Sequence, residues 1–269
     1  MSEDKKSLID LVPDSVDNAV KNITDKPTQN IGATLADIWY LVFGGISQAA
    51  DKRKLKYSYA LQKMEAELKE EITKIPQNKF IDPDMQVIAP ALESAKYCIE
   101  KEELRHMFSK LIASSMNEDF YNYVHPSFSM ILQHLSVFDA KIFNIIYNNE
   151  MNKFSKLISD NADSFPKYID QLSTSLMILR NFGLISGKRH YQTADFIDTG
   201  DVFSSKCIYY LIADTVKHED ESVLEKIIKY HDAFHIWDPP SQDSIRFQDS
   251  MYFIEITPLG NNFGKCCCK

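Results

Sequence analysis

Apolar side chains recur along this chain at the three- and four-residue steps of an α-helix, most clearly over 85–115. Met85, Ile88, Leu92, Ala95 and Ile99 step by 3, 4, 3 and 4, and Leu104, Phe108, Leu111 and Ser115 continue the beat. That spacing lays one side chain per turn on a single face. Upstream, Leu61, Met64, Leu68, Ile72 and Ile75 predict the longest helix, Lys52 to Ile75, stopped by Pro76. On its outer face Glu65 precedes Lys69 by four and Glu70 precedes Lys74 by four, the favourable order for surface pairs. Asp84 is placed to cap the next helix, and Pro90 inside it predicts a bend near Gln86 to Pro90. Glu100, Glu102 and Glu103 stand where the following helix begins, and its dipole favours negative charge there. Asn117 to Val124 reads as a connector. Pro126 then opens a helix with Phe128, Ile131 and Leu135 facing inward, and Ser136-Val-Phe-Asp139 reads as a capping sequence for a helix through Ile142, Ile145 and Ile146.

Two segments near the start are also helical in pattern. Pro13 to Thr24 predicts a short amphipathic helix on Val16, Val20 and Ile23. In 31–50, Ile31, Leu35, Ile38, Val42 and Ile46 keep helical spacing. Asp37 interrupts the run, and its apolar part falls short of the roughly 20 residues a membrane span needs. Packing against other helices is the first reading of 31–50. Trp39, Tyr40 and Phe43, followed by Lys52, Arg53, Lys54 and Lys56, keep a membrane-interface helix and a protein-docking helix as alternatives.

Beyond Asn148 the pattern changes. Ile169, Leu172, Leu176 and Leu179 form another stripe, and Gly183 suits a helix C-terminal cap. Leu184 and Ile185 start a strand, MYFIEI supplies an alternating one, and Thr257 caps a last turn with Pro258 in first position. This order is similar to winged-helix domains, with a long insertion between the two strands. The fold class expected is therefore mainly α: a multi-helix N-terminal domain followed by an α+β winged-helix-like C-terminal domain with an insertion. The boundaries read as a segment 1–30, a helical domain 31–125, and a C-terminal domain 126–269 whose insertion spans about 191–250.

Composition narrows the function classes. The chain has 269 residues and a net charge of −8, and neither half is basic, which argues against a duplex-wrapping protein. Within the winged-helix-like part, the candidate recognition helix Tyr168 to Asn181 offers outward Ser173, Thr174 and Arg180, with Lys188 and Arg189 in the candidate wing. That is too little for phosphate and base contacts, so a wing reused for protein contact is preferred to a transcriptional regulator. Cys98 sits between apolar helix positions as a core residue, and Cys266, Cys267 and Cys268 read as a frayed tail. The charged start MSEDKKSLIDLVP shows no secretory signal, and a cytoplasmic location is expected.

No phosphate-binding glycine loop and no G-x-S-x-G occurs. His231 and His235 share helical spacing, but Asp232 stands where a zinc protease carries glutamate. No catalytic residue, metal or cofactor is assigned. A nuclease site assembled from scattered carboxylates stays open. His106 lies on the polar side of its helix near Glu102, and His125 precedes Pro126 where it suits a helix cap. The candidate interaction surface comprises Trp39, Tyr40, Phe43, Glu102, Arg105, His106 and His125.

The phrases YALQKMEAELKEEITKIP, IAPALESAKYCIEKEELRHMFSKLIASSMN, YVHPSFSMILQHLSVFDAKIF and ITPLGNNF together resemble the bacterial Abi-alpha family, named for abortive infection. The resemblance implies a role in defence against bacteriophage. The function expected is a non-enzymatic defence protein acting on a protein partner of host or phage origin, with homo-oligomerisation and peripheral membrane contact open and nucleic acid disfavoured. The alternatives are a membrane-active toxic effector using 31–50 and a winged-helix transcriptional regulator.

Overall fold

The computed structural model describes residues 51–82, 84–150, 153, 156–157, 165–191, 194–198 and 250–268. The predicted helices over 13–24 and 31–50, the insertion over 199–249, Cys207, His231 and His235 lie outside the described residues. The described part is mainly helical, with one small sheet. It falls into two compact units: residues 1–137 with 262–269, and 138–261.

In the first unit, α1 (Asp51–Thr73) buries Leu61, Met64 and Leu68, the predicted stripe, while Ile72 stays half-buried. Each such leucine removed from water contributes about 1.5–3 kcal/mol. The helix tightens at its end, where the Lys74 and Ile75 amides donate to Glu71 and Ile72 carbonyls before Pro76. A 3₁₀ turn, Gln77–Lys79, follows. Helix α2 (Met85–Cys98) starts where the Gln86 amide donates to Asp84 Oδ1 at 2.8 Å, the cap the sequence predicts. Pro90 lies inside α2 on an exposed position, and the helix continues to Cys98.

Helix α3 (Glu102–Ser115) is the centre of this unit. Leu104, Phe108, Leu111 and Ile112 are buried completely. Its hydroxyls are absorbed by backbone: Ser109 donates to the Arg105 carbonyl at 3.0 Å and Ser115 to Ile112 at 2.7 Å. α1 packs on α3, α3 on α2, and α2 on α4 (Ser127–His134). Phe128, Ile131 and Leu135 face inward as expected. The connector over 117–124 is tied to the 3₁₀ turn by Glu118 N–H donating to Lys79 O at 2.9 Å and by Lys79 Nζ against Glu118 and Asp119.

The second unit carries most of α5 (Val137–Tyr147), then α6 (Phe165–Asn181), β1 (Ile185–Tyr191), β2 (Ala194–Asp198) and β3 (Ser250–Ile256). The strands form an antiparallel sheet in the order β2-β1-β3, with Ile185 opposite Ile256 and Tyr191 opposite Ser250. β2 falls in the stretch that sequence reasoning leaves unassigned. Leu172, Leu176 and Leu179 of α6 are buried as predicted, whereas Ser173, expected to point outward, is buried too. It lies one position from Leu172, within the wide inner face of an amphipathic helix.

Gly183 ends α6 in the left-handed region, with φ +70°. Its amide donates to Arg180 O at 2.7 Å and the Leu184 amide to Leu179 O at 2.9 Å, the paired bonds of a Schellman cap. Asn149 ends α5 the same way, with φ 54°. The last helix, α7 (Pro258–Cys267), begins with Thr257 Oγ1 accepting from the Gly260 amide at 2.9 Å. Its residues to Asn261 belong to the second unit and those from Asn262 to the first. The three cysteines expected to fray instead close this helix inside the first unit, with Cys266, Cys267 and Cys268 essentially inaccessible to solvent. The physical reason is that Cys is a small apolar side chain, and Phe263 one turn earlier anchors the stretch in the core.

Candidate interaction surface

Helix α3 presents Glu102 in its first turn, exposed, and His106 one turn later, half-buried. Arg105 between them points inward and is only 3% exposed. Its Nη2 and Nε donate to Glu67 Oε1 at 2.7 and 3.0 Å, and Nη1 donates to the Ile99 carbonyl at 3.1 Å. Arg105 is thus an internal ion-pair partner that gathers α1, α3 and the end of α2, and it leaves no charge at the surface.

His125 is exposed at the entry to α4. The Ser127 amide donates to its Nδ1 at 3.1 Å, and Ser127 Oγ lies 2.7 Å from the same nitrogen. A nitrogen that accepts a backbone N–H carries no proton of its own, so the imidazole serves as a cap for the first turn of α4. Trp39, Tyr40 and Phe43 lie outside the described residues. Of the described candidates, Glu102, His106 and His125 reach solvent and Arg105 does not.

The surface holds aromatic residues that sequence reasoning missed. Tyr59 on α1 is 60% exposed, Tyr97 on α2 67%, and Tyr121 in the connector 59%. Each of Tyr59, Tyr97 and Tyr123 has a lysine near its ring: Lys63 at 4.9 Å, Lys96 at 5.9 Å and Lys265 at 3.9 Å from the centroids. The available signal was position: Tyr59 and Tyr97 stand off the apolar stripes of their helices. Tyr57 behaves oppositely. Its hydroxyl is buried without a hydrogen-bond partner, and burial first, then the charges of Glu93 and Glu100, push its ionisation far upward.

The described cysteines, Cys98, Cys266, Cys267 and Cys268, are free thiols and all are buried. Burial pushes Cys266 and Cys268 up to about 12 and Cys267 well above its ordinary value, with the Lys110 charge acting the other way. Cys98 is raised by burial as well. Among the described residues, no group of three or more His, Cys, Asp or Glu is arranged to hold a metal ion. Among the same residues, no helix is long and apolar enough to cross a membrane.

Neither a curated relative nor a solved structure matches the chain. Residues 56–267 match the abortive infection alpha family, a span that takes in nearly every element described above. On that match over most of its length, the chain belongs to the abortive infection alpha (Abi_alpha) family.

Proposed function

We propose that this protein protects a bacterial cell against phage by binding a protein of host or phage origin, without itself catalysing a reaction. The observation that carries the reading is the family match over 56–267. The contact half of it is supported by the exposed rings of Tyr59, Tyr97 and Tyr121. A tyrosine offers a large apolar area with a polar tip and few torsions to freeze, which suits an interface. The net charge of −8 opposes attachment to a duplex.

In the second unit, the order α6, β1, β2, β3 supports a winged-helix-like reading. The solvent face of α6 carries Gln171, Thr174, Met177 and Arg180, a mixture better matched to a protein than to a row of phosphates. The reading puts the protein in the cytoplasm, where free thiols such as Cys98 and Cys266 persist.

Challenging cells that carry or lack the gene with a broad phage panel tests the proposal. Fewer plaques on carrier cells are expected for at least one phage. Equal plaque numbers across the whole panel would overturn it.

A further inference from the structure

The segment Asn262–Cys268 follows the second unit in sequence yet belongs to the first. Phe263 is fully buried, its ring standing edge-on to Phe128 at 5.3 Å and 88°. Cys266, Cys267 and Cys268 are buried beside it. Among the described residues the segment's polar ties include the Ser114 hydroxyl donating to the Cys266 carbonyl at 3.2 Å and Lys265 Nζ standing 3.9 Å from the Tyr123 ring centroid. The intrinsic helicity of the segment is poor. Gly264 and the cysteines rank low as helix formers, and Gly260 stands one turn earlier. Apolar burial on the first unit is therefore what keeps it in place. A short segment joined to its own unit by packing alone can open without unfolding a central helix such as α3.

We propose that Asn262–Cys268 is a releasable clasp, which leaves its seat on the first unit by local opening while α2 and α3 stay folded. Opening uncovers the seat around Phe128, Ser114 and Tyr123 and bares three neighbouring thiols together. The first unit then has a closed and an open state. The inference does not depend on the defence role, because it concerns the fold of the first unit alone.

Thiol labelling decides it. In a Cys207→Ser background, Cys98 in α2 reports unfolding of the core, and Cys266, Cys267 and Cys268 report the clasp. Maleimide is added at a series of urea concentrations below the unfolding midpoint, and adducts are located by mass spectrometry. The three clustered thiols are expected to label together, about tenfold or more faster than Cys98. Their rate should hardly change with urea, since local opening exposes little surface. Phe263→Ala should raise that rate further without altering labelling of Cys98. Lys265→Ala, at a half-exposed position, should do the same and serves if the Phe263 variant does not fold. Four thiols labelling in step with one steep urea dependence, or Cys98 labelling first, would overturn the clasp.

Discussion

Arg105 Nη2 lies 2.7 Å from Glu67 Oε1, so a cation in the most buried helix is balanced by a carboxylate on α1. The arginine side chain is 4% exposed and the glutamate 22%. An ion pair this dry adds little relative to apolar residues of the same volume, but breaking it strands a charge. Arg105→Ala should therefore lower the unfolding free energy by about 3 kcal/mol, read from urea denaturation. The pair Arg105→Met with Glu67→Leu should recover much of that loss. A double variant no more stable than Arg105→Ala would show that the stranded carboxylate is not the cause.

Gly260 has no room for a side chain. A Cβ there would sit 1.9 Å from the Leu184 carbonyl oxygen, a backbone atom that cannot turn aside. Gly260→Ala should destabilise by about 1–3 kcal/mol, seen as a lower Tm. Thr257→Val removes the hydroxyl that accepts from the Gly260 amide and donates to the Gly183 carbonyl, with Leu184 O also in reach, and should cost about 1 kcal/mol at the same junction. An unchanged Tm in both would mean that the turn from β3 into α7 does not hold the second unit together.

Tyr97→Ala and Tyr59→Ala address the contact surface. Both rings are mostly in solvent, so stability should move by no more than about 0.5 kcal/mol. If these rings meet the partner, protection against phage falls while the purified variants keep the parent's circular dichroism and Tm. Full protection by the double variant would take these two rings out of the interface.

The buried thiols make stability depend on alkaline pH. Their ionisation in the folded chain is raised, from 9.0 to about 12 for Cys266 and Cys268. The folded state therefore holds protons that the unfolded chain releases, and the contribution is complete below about 9 and is lost as pH rises toward 12. Between about pH 8 and 10, Tm should fall less steeply in a variant with Cys266, Cys267 and Cys268 replaced by Ala than in the parent. Comparing the two cancels the titration of lysines and tyrosines common to both. Parallel slopes would show that the thiols ionise as readily in the folded chain as in the unfolded one.

Elements whose cause is local were legible in the sequence. The stripe Leu61, Met64 and Leu68, the Asp84 cap, the Gly183 terminus and the Thr257 cap each follow from a few neighbouring residues, and each occurs. What was missed depends on partners far along the chain. Nothing near Arg105 announces that Glu67 lies opposite it, 38 residues away. Nothing near Cys266 points to Ser114, separated from it by 152 residues. Ser173 was misplaced for a related reason: helical spacing gives the centre of a buried face, and packing sets its width. The exposed tyrosines escaped notice because a binding surface has no periodicity of its own.

The return of residues 262–268 to the first unit orders events on the ribosome. Helices α1 to α4 emerge first, and Phe128 must wait for Phe263 until the whole of 138–261 has been translated. At about 5–20 residues per second that delay is on the order of 10 s. A nascent chain spends this interval with a gap in its oily interior, exposed to chaperones and proteases. A product cut short before Phe263 would never fill it, so the first unit closes only after the whole of 138–261 has been made.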